Sequence, residues 1–166
     1  MFVADGGLAI RAEVERGGEP WRPEMAGYET ATELGTSAMW KLHLERVDFQ
    51  KRYLDRWNAA GIDAILAPTT PFSTVKHGTF KHVGYTGVYN ILDYSCVSFP
   101  SGFSVDKDID VGLGDSHVPL GDVCKIIHEE YDAGAVHGMP ISLQLIARRL
   151  EEEKAISTVK KILETV

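Results

Sequence analysis

The chain has 166 residues, room for one domain that buries about two thirds of its unfolded surface. Seventeen basic residues against 24 acidic ones leave a net charge of −7 with no Lys/Arg cluster, which excludes the concentrated basic footprint that nucleic-acid binding needs. No apolar run approaches the roughly 20 residues that span a bilayer, so no membrane partner is expected.

In chain order, residues 1–35 carry little periodic pattern and read as a loop-rich lead-in. Met1-Phe2-Val3-Ala4 runs straight into Asp5-Gly6-Gly7, with no secretory pattern, and Leu8-Ala9-Ile10 follows as a second short apolar piece across a turn. The Gly17-Gly18 pair, like Gly6-Gly7, invites comparison with an oxyanion or phosphate cradle. Neither pair is followed by Ser or by Lys-Thr, and both are read as turns.

From Thr36 a helix of six or seven turns is expected, with Thr36 or Ser37 as its cap and Gly61 as its stop. Trp40, Leu44, Val47, Leu54 and Trp57 share a face that reads as core, and Phe49 and Tyr53 flank it four residues apart. Ile62 to Ala67 reads as a short strand ended by Pro68, and the loop from Thr69 through His77-Gly78 to His82 lies where ligands sit in α/β sheets. Tyr85 to Asp93 reads as a short helix, Cys96 to Phe99 as a strand closed by Pro100-Ser101-Gly102, and Asp106 to Pro119 as surface loop. Asp122 to Tyr131 reads as a second short helix, followed by a turn at Asp132-Ala133-Gly134.

The stretch Gly138 to Ile156 organises the rest. Ile141, Leu143 and Leu145 alternate with Ser142, Gln144 and Ile146, the period of a buried strand, with Pro140 just ahead of it. Glu151-Glu152-Glu153 opens a helix at its positive end, and Ile156, Val159, Ile162, Leu163 and Val166 recur at helical spacing. A strand feeding a terminal helix that packs back on a sheet is expected. The fold class is therefore α/β, a mixed sheet flanked by helices.

Three phrases, WNAAGIDAILAPTTP (57–71), YTGVYNILDYSCVSFP (85–100) and GMPISLQLIARRLEEEKA (138–155), resemble in order and spacing the C-terminal part of the amidase signature family, most closely its fungal acetamidase-like members. Asp5-Gly6-Gly7, Gly18-Glu19-Pro20 and Glu130-Tyr131-Asp132 match more weakly. The resemblance runs with gaps through about three quarters of the chain and implies one partial amidase domain over residues 1–166, with 1–35 as lead-in and 36–166 as the amidase-like region. It also implies amide hydrolysis by a Ser–Ser–Lys triad, in which a lysine activates a bridging serine, that serine activates the nucleophile, and a Gly/Ser-rich segment holds the oxyanion. Those parts precede, in the family, everything that matches here. The chain has neither a Ser-Ser dipeptide nor Gly-Gly-Ser, so no catalytic residue is carried over and the polypeptide is expected to be inactive toward amides alone. The resemblance implies no cofactor and a small-molecule amide as substrate. By position it turns the loop after Ala67 and Tyr85, Thr86, Asn90 and Asp93 toward the substrate pocket, against the local alternative that Asn90 and Asp93 bond their own backbone.

Rival sites are weaker. His128 with Glu129, Glu130, His117, Asp122 and His137 contains no His-Glu-x-x-His or similar spacing, so no metal is expected. Cys96 and Cys124 read as reduced core thiols of a cytoplasmic protein, although folding could bring a histidine to either. Arg148-Arg149 reads as a solvated pair at a strand end rather than an anion clamp. The partners expected are a complementary N-terminal amidase segment or a second copy, covering strand edges and apolar surface that a truncated sheet exposes. The alternatives are a non-catalytic binding or assembly module that retains the pocket wall and, last, an unrelated metal-dependent hydrolase.

Overall fold

A computed structural model describes residues 1–75, 80–114 and 116–165; the expected loop through His77-Gly78 and the helical position Val166 lie outside them. The backbone divides into two compact units, one built on residues 1–62 and the other on residues 63–75 and 82–165.

The first unit is more helical than its sequence pattern promised. Leu8–Gly17 form helix α1 and Ala26–Glu29 the single turn α2, entered through a 3-10 turn at Pro23–Met25. What organises the lead-in is Asp5: its carboxylate accepts the N–H of Gly7 at 2.9 Å and of Ala9 at 3.1 Å, doing the work of an N-cap. Those bonds, Ala9 first, hold the Asp5 carboxyl below its ordinary range. Gly6 and Gly7 are both left-handed, φ 71° and 72°, and a Cβ on Gly7 would stand 2.2 Å from the Tyr28 carbonyl oxygen. The Asp-Gly-Gly turn is thus a close-approach device rather than a cradle. Asp5 then bridges Glu33, and Arg11 donates to the Glu29 carbonyl at 2.9 Å.

Helix α3 runs Thr36–Ala60 and stops at left-handed Gly61, as its sequence predicts. Its N-cap is Gly35, without a side-chain bond, rather than Thr36 or Ser37. Phe49 and Tyr53 lie 6.4 Å apart. The expected core stripe is the larger departure: Trp57 is buried, but Trp40, Leu44 and Val47 are 68, 72 and 61% exposed and Leu54 is 39% exposed. A helical period proves that one face is apolar, and covering that face needs a surface the first unit does not supply.

The second unit is a three-stranded sheet in the order β1-β3-β2, with β1 at Ile65–Pro68, β2 at Ser95–Ser104 and β3 at Pro140–Ala147. Both pairings are antiparallel, with Leu66 opposite Leu145 and Phe99 opposite Leu143. The α/β class holds, and β3 is the central strand. It is followed by α6, Glu152–Leu163, which lies on the sheet. Leu145 and Ala147 of β3 meet Phe99 of β2 and Ala155 and Val159 of α6, with Leu143, Val97, Ala64 and Ile162 around them. The buried ridge of α6 is Ala155, Val159 and Ile162, spaced i, i+4, i+7; Ile156 and Leu163 remain about half exposed. On the sheet's opposite face Ile146 is fully buried and Gln144 is 3% exposed. β2 continues through Pro100 to Ser104, because the register shifts between those residues at left-handed Gly102 and the proline sits on an edge strand, where its missing N–H breaks no inner ladder.

The β3–α6 junction is tied by charge. Glu151 accepts from the Arg148 backbone N–H at 3.0 Å and its guanidinium at 2.8 Å, while Ser95 Oγ donates to Glu152 at 2.8 Å. Arg149 pairs with Asp93 at 2.9 Å. Both arginines of the pair are therefore engaged by the chain's own carboxylates.

Candidate functional site

The end of β1 leads directly to the cavity of the second unit. Past Pro68 the chain turns at Thr70, whose hydroxyl accepts the Phe72 N–H at 3.0 Å and donates to the Phe72 carbonyl. The turn presents Pro71 and Phe72 to a cleft of about 400 Å³. Phe72 stacks on Tyr131 with ring centroids 6.3 Å apart and meets His82 edge-on at 5.8 Å, and His82 is in turn bonded to Glu130 at 3.0 Å. The facing wall is helix α5, Asp122–Glu130. Spacing i, i+3, i+4 puts Cys124, Ile127 and His128 on one side of it, Tyr131 follows as its extended C-cap residue, and all four line the cleft. The loop ahead of α5 closes the cavity with Val111, Leu113 and His117.

This lining is mostly apolar with a few polar groups, the usual make-up of a small-molecule site. The Tyr131 hydroxyl donates to the Asp110 carbonyl at 2.7 Å; burial, then the Asp110 charge, hold that phenol above its ordinary range, so it stays a neutral donor at physiological pH. His117 Nε2 lies 3.7 Å from Cys124 Sγ, and the His117 and His128 ring centroids are 5.0 Å apart. His137 turns elsewhere and accepts the Lys107 N–H at 3.2 Å. Among the described residues no three His, Cys, Asp or Glu side chains are arranged to hold a metal ion. Cys96 departs from the core reading: it sits exposed on β2, where partial desolvation raises its thiol above the ordinary range.

The four positions singled out in sequence lie on or just after helix α4, Gly84–Leu92, which brings Thr86 and Asn90 to one face at i, i+4, with Asp93 as its C-cap. Thr86 Oγ1 points at the Val83 carbonyl at 3.4 Å, and Asn90 Nδ2 donates to the Thr86 carbonyl at 3.1 Å. Asp93 ends the helix in left-handed conformation, φ 62°, with Arg149 on its carboxylate. Tyr85 is 40% exposed, and its carbonyl accepts from Gln144 Nε2 at 2.8 Å. None of the four is among the residues that line the cleft.

Gln144, read in the sequence only as one position of the strand alternation, is the structural hinge of this region. Its Nε2 also donates to the Pro68 carbonyl at 2.8 Å, so one amide joins the end of β1 to the start of α4 from the central strand. The signal was a glutamine inside the apolar run ISLQLIA, since a buried amide is retained only where its hydrogen bonds are met. The α5 face was legible too, because Cys124, Ile127 and His128 follow helical spacing.

Comparison with known proteins agrees with this architecture. The amidase family model matches residues 12–156. An acetamidase of Emericella nidulans is 32% identical over 170 residues, which cover 98% of this chain and 31% of that protein. Amidase 2 of Gibberella moniliformis is 33% identical over 160 residues, 92% of this chain and 31% of the relative. Among solved structures, a fatty acid amide hydrolase superposes with a TM-score of 0.81 at 23% identity, over 98% of this chain and 30% of its own, a likeness of fold. The chain thus spans about 31% of the length of these curated relatives. An unrelated metal-dependent hydrolase has no footing beside these matches, and the chain belongs to the amidase family.

Proposed function

We propose that these 166 residues supply the distal scaffold and one pocket wall of an amide-hydrolysing site, and that by themselves they do not hydrolyse amides. The observation that carries this reading is the coverage: about 31% of each relative's length, in a sequence without a Ser-Ser dipeptide. Amide cleavage needs an activated nucleophile and preorganised oxyanion donors, and loss of triad members alone costs about 10⁴–10⁶ in turnover in serine hydrolases. In a completed site the Thr70–Phe72 turn and the shoulder of Tyr85, Thr86, Asn90 and Asp93 would face a small carboxamide, the substrate type that the name acetamidase attaches to two relatives. The partner is a complementary amidase segment carrying the Ser-Ser-Lys machinery, or a second copy covering the same surfaces. Two free thiols suit a reducing, cytoplasmic compartment.

Ammonia release from acetamide by the purified chain tests this directly. The expected rate is that of buffer; saturable turnover that co-purifies with the chain refutes the reading. Co-expression with a family segment that carries the triad is expected to restore turnover. The 400 Å³ cleft favours a second, compatible reading as a binding module, checked by saturable binding of small amides to the chain alone.

A further inference from the structure

The cleft also contains chemistry for which amide hydrolysis has no use. Cys124 Sγ and His117 Nε2 are 3.7 Å apart, a thiol–imidazole hydrogen bond between the first turn of α5 and the loop before it. The His128 ring, tilted 46° to that of His117, packs beside it with centroids 5.0 Å apart. Both members of the pair line the cavity together with Pro71, Phe72, Leu113 and Ile127, so an apolar ligand in the cleft lies against the sulfur. Cys96 provides the contrast within one molecule. Its thiol points to the Tyr94 carbonyl at 3.8 Å, an acceptor that cannot take the proton away.

We propose that Cys124 and His117 form a reactive thiol–imidazole pair that captures apolar α,β-unsaturated carbonyl compounds entering the cleft. His117 serves with Nδ1 protonated and Nε2 free to accept. The thiol proton passes to Nε2, and the sulfur lone pair forms a bond to the β-carbon. The alkene π pair moves toward the carbonyl, and the imidazolium returns its proton to the α-carbon. One S–H and one C=C π bond are exchanged for S–C and C–H bonds; nothing leaves, and no oxidant or reductant is needed. This chemistry is independent of whether the chain serves an amide hydrolase.

The test is alkylation of the full chain by limiting N-ethylmaleimide, with Cys124 and Cys96 peptides quantified by mass spectrometry. Cys124 is expected to react about tenfold faster than Cys96, with the difference abolished in denaturant, since the thiolate is the nucleophile and its proton acceptor is supplied by the fold. Replacing N-ethylmaleimide by the bulkier, more apolar N-phenylmaleimide is expected to widen the preference. His117→Ala, with native circular dichroism, is expected to bring Cys124 down to the Cys96 rate, and His117→Gln not to rescue it. Equal rates in the wild-type chain overturn the proposal, whether or not the variants fold. So does a folded His117→Ala whose Cys124 reacts undiminished.

Discussion

Replacing Gln144 with methionine keeps the side-chain length and volume and removes both amide donors. In the native fold those donors meet the Pro68 and Tyr85 carbonyls at 2.8 Å each, in a residue only 3% exposed. A neutral hydrogen bond contributes about 1 kcal/mol net, and a carbonyl left dry costs about 1–3 kcal/mol, so the two together predict a loss of about 2–4 kcal/mol. The volume-conserving swap itself adds less than about 1.5 kcal/mol. Urea unfolding monitored by far-ultraviolet circular dichroism measures the loss as a lower midpoint at unchanged slope. Gln144→Glu separates shape from donation: it is nearly isosteric but turns acceptor oxygens on two carbonyls, and is expected to destabilise at least as much as methionine. A loss below about 0.5 kcal/mol for both variants would refute the hinge role, because it is smaller than one net hydrogen bond.

Glu151 is held below its ordinary 4.5, first by the Arg148 side chain, so its contribution is complete above that pH and is lost as pH falls through the depressed value. Glu151→Gln is therefore expected to flatten the acid limb of a pH–stability curve below about pH 4.5 and to leave its shape above that unchanged, as followed by urea midpoints. Gly7→Ala places a methyl 2.2 Å from the Tyr28 carbonyl oxygen at φ 72°, and is expected to destabilise the 1–35 segment by at least about 1–3 kcal/mol, read as faster amide exchange and proteolysis there. Ile146→Ala, at a fully buried position of the central strand, is expected to cost about 2–5 kcal/mol in the same urea assay. For the proposed second-copy contact, Trp40→Glu with Leu44→Glu on α3 is expected to shift light-scattering mass toward the monomer.

What the sequence made legible was the hydrogen-bonded framework. Alternation in 141–145 marked β3, the Glu151–Glu153 run marked the start of α6, and Gly61 marked the end of α3, because each of these signals is local in sequence. The lead-in was missed for the opposite reason. Helix α1 has no strong apolar period of its own; it is held by Asp5 carboxylate bonds and by a glycine turn pressed against Tyr28, a contact 21 residues away. The α4 positions were placed on a helix correctly, yet Asn90 and Asp93 bond locally and to Arg149, details of rotamer and chain approach that spacing does not encode. The pairing of His117 with Cys124 needed the loop's return onto α5, which no periodic pattern predicts.

The same distinction bears on the proposed contact with a complementary segment or a second copy. A three-stranded sheet in the order β1-β3-β2 leaves two edges, but neither is a good template for strand addition. β1 is four residues long and ends at Pro68; β2 carries Pro100 and a register break before Ser104. Short edges, prolines and bulges are the features that blunt edge-to-edge pairing. The apolar area that is left open lies mainly on helical and loop surfaces instead, with Trp40, Leu44 and Val47 on one face of α3. Side-chain packing on a helix tolerates many partners at low directional cost, whereas strand addition demands a register. Were the chain to associate as proposed, contact through α3 would be reversed by two surface charges and contact through the sheet would not, which is why the Trp40/Leu44 double variant discriminates between them.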